Sequence, residues 1–415
     1  MKPRRVVITG IGVVAPNGIG KDAFWDALVK GKSGIRRITL FDPEGLPTDI
    51  AGQVPSFDPC EFMPRSLAVE RGRASHLGVA AARLALMDAG LGSAQGMGVY
   101  VGMTFPAMDY VTELVSRFSL RGSYVREELL LLYSSISPNI VSMDIANVCG
   151  ATGPRETVAN ACSSGSMAVC KAFEEIRLGR ADMHLAGGVD ACLTYLGFAA
   201  LIAGGFQVVS SLPPEQVSRP YDLNREGAVC SEGATILVLE SLEHAVMRGA
   251  RIYAEILAAE VYSYLPTSEP EAVRHGLAAS ISRCLAAAAL TPEDVDYICA
   301  HGPSLPTVDV METLAFKDAL GPAAYRIPIS SIKSTLGNPM AASGPMQIAA
   351  ALLSMRHSTI PPTANLHCPD PLCDLDYVPL RPRRGLINVA MVDSHGFDNV
   401  DVTVLLAKGR GERSC

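Results

Sequence analysis

The segment Val158-Ala159-Asn160-Ala161-Cys162-Ser163-Ser164-Gly165 carries one thiol in a turn that runs into an amphipathic helical stretch. A cysteine at a helix N-terminus meets the positive end of the macrodipole and unpaired N–H groups, which lower a thiol pKa and stabilise anions. The pattern therefore predicts a nucleophile at Cys162, with a lowered pKa, suited to attack on a thioester carbonyl. The same N–H groups would hold the oxyanion that forms. Taken alone the motif is weak, because an isolated cysteine in an apolar stretch is more often a packing residue.

The elements that must position this turn are legible along the whole chain. Short β-branched runs alternate with Ala-rich helical stretches. Strands are predicted at Val6–Thr9, Gly98–Val101, Met183–Ala186, Ala234–Leu239, Tyr253–Glu260, Tyr297–Ala300, Ile327–Ser330, Asn388–Asp393 and Val402–Leu406. Helices are predicted at Asp22–Lys30, His76–Ala89, Ser164–Leu178, Pro270–Ala288, Val308–Ala319 and Gly344–Arg356. Continuous apolar strands followed by helices call for an α/β protein whose sheets are covered on both faces. The chain divides near residue 250, where Gly249 ends a helical segment and a new strand begins at Tyr253. The segment 102–150 is irregular in pattern and is expected to cover a site or form a partner surface.

Composition narrows the class. The 415 residues are 48 % apolar and 19 % charged, with 37 glycines, which suits a large α/β core and not a disordered chain. The net charge is −7 and no long Lys/Arg run is present, so no nucleic-acid or anionic-membrane partner is expected. Two small basic clusters, Arg71/Arg73 and Arg381/Arg383/Arg384, are either solvated faces or contacts for an acidic protein. The eleven cysteines are scattered without a CxxC pair, which predicts reduced, mostly buried thiols and a cytoplasmic protein. Lys2–Arg5 before VVITGIGVVAP mimics a short signal peptide, but Gly10 and Gly12 break the apolar run, which reads as a buried strand. No uninterrupted apolar stretch of about twenty residues suggests a membrane span.

The pattern around Cys162 resembles a known family. Arg4–Gly10, the Asn160–Gly165 turn, Ser218-Arg219-Pro220-Tyr221-Asp222, Arg225-Glu226-Gly227, Glu232-Gly233-Ala234 and Leu239–Ala245 resemble, over nearly the whole chain, the β-ketoacyl synthases of fatty-acid and type II polyketide assembly. The resemblance implies a thiolase-like fold of two pseudo-symmetric αβαβα halves, here 1–250 with Cys162 and 251–410 with His301 and Asn338. It also implies that Cys162 accepts an acyl chain from an acyl carrier protein, and that His301, after a strand end, and residue 338 assist decarboxylation of a malonyl unit. Lys333 and Glu312 match positions where a Lys–Glu pair organises the site. Phe397 would gate the acyl tunnel and lend its N–H to the oxyanion hole, with Gly396 and His395 beside it. No cofactor or metal is implied, because substrates ride on the phosphopantetheine of the carrier protein; a homodimer or a heterodimer with another ketosynthase-like subunit is implied.

This chain departs from the family pattern in several places. Asn338 stands where the family has a histidine; an amide offers two N–H donors to an enolate oxygen but no titrating proton. Pro303 and Leu305 replace two threonines that bind the pantetheine arm, and proline also removes an N–H. Asp398 and Asn399 replace two glycines of a moving loop, and His395 replaces an aromatic residue. Three functions remain open. The first is a condensing enzyme using Cys162, His301 and Asn338, in specialised metabolism. The second is a non-decarboxylating acyltransferase or cyclase using Cys162. The third is a partner subunit resembling a chain-length factor, against which the retained cysteine argues.

Overall fold

In the computed structural model, which describes residues 3–409 apart from 106, 107, 124 and 266, ten strands and a short Gly18–Ile19 hairpin arm form one sheet. The first half supplies β1 (Val6–Ala15), β2 (Gly98–Gly102), β3 (Arg155–Val158), β4 (Met183–Asp190) and β5 (Gly233–Ser241). The second supplies β6 (Ala254–Ser263), β7 (Tyr297–Cys299), β8 (Ile329–Ser330), β9 (Val389–His395) and β10 (Val400–Ala407). Their spatial order is β8-β7-β9-β10-β6-β1-β5-β4-β2-β3.

Read inward from either edge, both halves run third, second, fourth, fifth, first. Pair directions repeat as well. β2 is parallel to β3 and β4, as β7 is to β8 and β9, whereas the two inner pairs of each half are antiparallel. The halves join where β1 lies antiparallel to β6, with Val6 opposite Ile256. A repeat invisible in residue identity is therefore explicit in topology.

Five helices complete the layers: α1 (Arg73–Asp88), α2 (Ser164–Arg177), α3 (Glu271–Ala288), α4 (Pro306–Leu320) and α5 (Ser343–His357). α1 covers the outer face of the first half, and α3 and α4 cover that of the second. α2 and α5 lie between the halves and share one core with strands of both. α5 is buried continuously from Ser343 to Met355, so it carries no polar stripe and is built of small and apolar residues. α2 and α5 approach at glycines. A Cβ on Gly165 would stand 2.1 Å from the Ala341 carbonyl oxygen, and one on Gly344 would stand 1.7 Å from Ser166 Oγ. The result is the αβαβα layering of a thiolase-like fold.

Two expectations need correction. Within 102–150 the described residues are largely helical, at Met108–Arg121, Arg126–Ser135 and Ile140–Cys149. The first two leave Leu120, Leu130 and Tyr133 exposed, which blurs the apolar periodicity that would mark a helix packed on a core. Arg71 and Arg73 are not a surface cluster: they pair inward with the buried carboxylates of Asp144 and Glu232. Arg383 pairs with Asp376, and Arg381 and Arg384 are exposed. All ten described cysteines are free thiols and seven are buried; Cys415 lies outside the described residues.

Candidate active site

The nucleophile turn follows β3 and ends at α2. Ala161 is held at φ +43°, a left-handed value that a residue with a Cβ adopts at a cost, and this bend presents Cys162 just ahead of the helix. Ser163 and Ser164 clamp the bend: Ser163 Oγ donates to the Asn160 carbonyl at 2.8 Å, and Ser164 Oγ accepts from the Asn160 N–H at 2.7 Å. The equivalent turn of the second half, between β8 and α5, carries Asn338 and has Met340 at φ +47°. The two turns meet. Asn338 Nδ2 lies 3.8 Å from Cys162 Sγ, and Met340 Sδ lies 3.7 Å from it. Asn338 is only 7 % exposed, and its backbone is locked by bonds to Val229 O and from Ser231 N–H.

The thiol is not depressed, contrary to the expectation from its helix position. Burial among apolar side chains, including Phe198, Leu201 and Met340, pushes it up to about 11. The Lys333 ammonium and the Asn338 amide pull it back, while Asp190 and Asp398 push it further up. Desolvation outweighs the helix terminus here because Cys162 precedes the first helical residue by two positions.

His301 follows β7 at the floor of the site and is buried. Lys333 Nζ donates to its carbonyl oxygen and approaches its Nδ1 at 3.3 Å; the His395 N–H lies 3.5 Å from the same nitrogen. With two donors at Nδ1, the ring proton belongs on Nε2. Burial first, then the charge of Lys333 and the ring of His395, hold the imidazole well below its ordinary value, so it is a neutral N–H donor. Burial lowers Lys333 itself to about 8.

The Lys333–Glu312 relation differs from a direct pair. Among the described residues Lys333 makes no ion pair. Glu312 instead accepts from the Gly302 N–H, at 3.1 and 3.2 Å, and from Tyr221 OH at 2.6 Å. It thereby supports the turn after His301 and acts on Lys333 through its charge. Buried Asp393 accepts from the His301 N–H at 3.3 Å, and desolvation with the neighbouring Glu312 carboxylate raises it well above the carboxylate range.

The hairpin joining β9 to β10 closes the site. Gly396 gives its N–H to Val400 O, so it cannot serve an oxyanion; its role is space, because a Cβ there would stand 2.8 Å from Ser163 Oγ. The Phe397 N–H has no acceptor among the described residues, and neither has that of Cys162. The Phe397 ring, 70 % exposed, stands edge-on to Phe206 at 4.7 Å. Asn399, at φ +60°, donates through Nδ2 to Leu265 O and Thr267 O, which anchors the hairpin tip. Pro303 is buried, and the hydroxyl between it and Leu305, Ser304 Oγ, faces inward to accept from the Arg219 N–H. The sequence reading missed Met340, Asp190 and Asp401. Asp190, at the end of β4, takes N–H bonds from Ala341 of the second turn and from Thr104 and Phe105, and the Thr104 hydroxyl donates in turn to the Ala161 carbonyl of the first. A carboxylate ending an apolar strand was the available signal.

Family models match both halves of the chain. Residues 3–245 match the β-ketoacyl synthase N-terminal domain, and residues 253–367 match the β-ketoacyl synthase C-terminal domain. The chain belongs to the β-ketoacyl synthase family. It is 40 % identical, over 99 % of both chains, to a putative polyketide β-ketoacyl synthase 1 of Streptomyces cyaneus. It is 35 % identical to the 3-oxoacyl-[acyl-carrier-protein] synthase 2 of Synechocystis, over 98 % of this chain and 99 % of that one. Among solved structures it is similar to the ishigamide ketosynthase/chain length factor, with TM-score 0.90, 33 % identity and coverage of 98 % and 100 %. It is also similar to a type II polyketide acyl-carrier protein in complex with its ketosynthase bound to the hexaketide, with TM-score 0.88, 32 % identity and coverage of 98 % and 100 %. No described group of His, Cys, Asp and Glu has the arrangement of a metal site, and no described helix is long and apolar enough to cross a membrane.

Proposed function

We propose that this β-ketoacyl synthase loads an acyl chain from an acyl carrier protein onto Cys162 and extends it by decarboxylative condensation with a malonyl-carrier protein, in specialised metabolism. What supports the reading is a thiol before a helix, an amide nitrogen 3.8 Å from its sulfur, and a buried imidazole with its proton on Nε2, the Lys333 charge acting on both thiol and imidazole. In the loading step the Cys162 sulfur attacks the acyl carbonyl, and the free N–H groups of Cys162 and Phe397 receive the oxyanion. The carrier's thiol leaves with the proton. Acylation turns the sulfur into a poor acceptor and releases the Asn338 amide.

His301 Nε2–H and Asn338 Nδ2–H then donate to the malonyl thioester oxygen. The bond to the carboxylate breaks, carbon dioxide leaves, and the enolate carbon attacks the acyl-cysteine, expelling the Cys162 thiolate. A donor, not a titrating proton, is what the enolate oxygen requires, so Asn338 suffices. Phe397, seated at the surface against Phe206, serves as the gate, with Gly396 as its close-fitting hinge.

The same reading carries a carrier-protein partner and a dimer, homomeric or with a second ketosynthase-like subunit. The half-exposed edge strand β3 and the apolar side chains of Leu120, Leu130 and Tyr133 support a large interface. A cytoplasmic location accords with the free thiols. The test offers purified protein an acyl-carrier protein, then malonyl-carrier protein, and follows both by intact mass. Acylation at Cys162 with carbon dioxide release supports condensation. Acylation alone transfers the case to an acyltransferase or cyclase, and no acylation to a non-catalytic partner subunit.

A further inference from the structure

Beside His301 lies a second imidazole whose surroundings are built around it. His395 ends β9 and Asp401 faces it across the antiparallel register of β10. His395 Nδ1 and Asp401 Oδ1 are 2.8 Å apart, and both side chains are buried. The His395 ring stands edge-on to that of His301, with centroids 6.0 Å apart and planes at 83°. The other carboxylate oxygen, Asp401 Oδ2, is buried with no hydrogen-bond partner. The fold makes room for it: Gly276, inside α3, would carry a Cβ 2.2 Å from that oxygen. Glycine inside a helix costs stability, so its presence against a bare carboxylate oxygen marks an accommodation. Nothing else neutralises the carboxylate. The facing position on α3 is uncharged Gly276, and Asp398 at the hairpin tip is itself acidic.

We propose that His395 and Asp401 form a hydrogen-bonded pair that positions His301, and that this pair strengthens the His301 donor during malonyl decarboxylation. This rests on the condensing reading above. The donors aimed at the enolate oxygen, His301 and Asn338, are neutral, and the nearest fixed cation, Lys333, is engaged on the Nδ1 side of His301. The His395 ring, fixed by Asp401 and set edge-on at 6.0 Å, holds the His301 ring so that its Nε2–H meets the growing negative charge. No bond is made or broken at His395, whose proton stays with the pair. The groups facing His395 are Asp401 across the hairpin, Asp398 at its tip, and His301 with Lys333 behind it; Asp393 reaches the His301 backbone from the same strand.

The test compares the unaltered protein with His395→Phe, which keeps a packed ring, and with Asp401→Asn, which keeps the shape of the carboxylate. Loading of Cys162 by an acyl-carrier protein stays within about twofold, while carbon dioxide release falls about 10- to 100-fold in each variant and no further in the double variant. A purely structural ring would leave His395→Phe fully active, and that result overturns the proposal. A second measurement needs no turnover. With 15N-labelled histidines, the His301 nitrogen shifts of Asp401→Asn differ from those of the unaltered protein, although the substitution leaves His301 itself unaltered. Should the unaltered protein load acyl chains yet release no carbon dioxide, the condensing reading fails. Unchanged His301 nitrogen shifts in Asp401→Asn would end the pair proposal by themselves.

Discussion

Replacing Lys333 by methionine separates what the ammonium does for catalysis from what it does to stability. The group is buried, and its pKa falls from 10.5 to about 8, chiefly by desolvation. For a base whose folded value lies below its unfolded one, the unfolded chain binds more protons between the two values. Stability therefore rises with pH from about 8 to 10.5, and the whole penalty is present below about 8. A shift of this size corresponds to about 3 kcal/mol. Lys333→Met lacks the term. The difference in unfolding free energy between the two proteins is thus expected to be flat below about 8 and to move by about 3 kcal/mol in favour of the unaltered protein as pH rises toward 10.5. Denaturant titrations of both proteins at a series of pH values read it directly. Catalysis should follow the opposite course. With only the longer His395 N–H contact left at Nδ1, His301 holds its tautomer less firmly, and carbon dioxide release at neutral pH falls about 10²-fold or more with no loss of stability. Parallel stability curves across the whole range, or a fully active variant, would refute the assignment of a charged, buried lysine as the anchor of His301.

Alkylation of Cys162 by iodoacetamide, mapped by mass against exposed Cys60 and Cys368, should keep accelerating past the ordinary thiol value of 9.0 and level near about 11; a plateau at or below 9.0 would contradict the burial argument. Gly344→Ala drives a Cβ to 1.7 Å from Ser166 Oγ and 2.5 Å from Ser394 Oγ, so it should cost about 3 kcal/mol or more by denaturant midpoint. A near-normal midpoint would mean that α2 and α5 can separate. Asn399→Gly keeps the φ of +60° but removes the two bonds to Leu265 and Thr267, so hydrogen exchange across 396–399 should quicken, corresponding to about 1–3 kcal/mol of lost protection. Unchanged exchange would show that the tip is held by something else.

The strands and helices legible in the sequence were those with continuous apolar runs or long Ala-rich stretches, because burial on both faces writes itself into composition. β3 was not legible: Arg155-Glu156-Thr157-Val158 is a half-exposed edge strand and carries no apolar run. The Met108–Ser135 helices were missed because their apolar residues face outward as well as inward. At the site, Cys162 was legible from its turn and His301, Lys333 and Asn338 from the family resemblance; the structure sets Asn338 against Cys162 and Lys333 against His301. What spacing could not supply was electrostatics. The thiol sits in an apolar cluster assembled from segments more than 150 residues apart, as the Met340 contact illustrates, and that burial reverses the shift expected from local sequence alone. The His395–Asp401 pair was equally hidden, because only the register of β9 on β10 turns two separate residues into one hydrogen bond.

The position of the departures within the repeat says what has been altered. The two halves meet at a pair of strained turns, one carrying Cys162 after Ala161 and the other carrying Asn338 before Met340. The first half supplies the nucleophile, the two serines that clamp its turn, and Asp190, which accepts from the turn of the second half. The departures at Pro303, Leu305, Asn338, His395, Asp398 and Asn399 lie on the second half. These surround the imidazole that receives the extender, not the sulfur that receives the chain. Loss of function by drift would scatter changes over both halves and would not preserve a buried imidazole–carboxylate bond with a helical glycine shaped to it. A retuned second half, acting on an unchanged acyl-cysteine, accounts for both the distribution and the compensation.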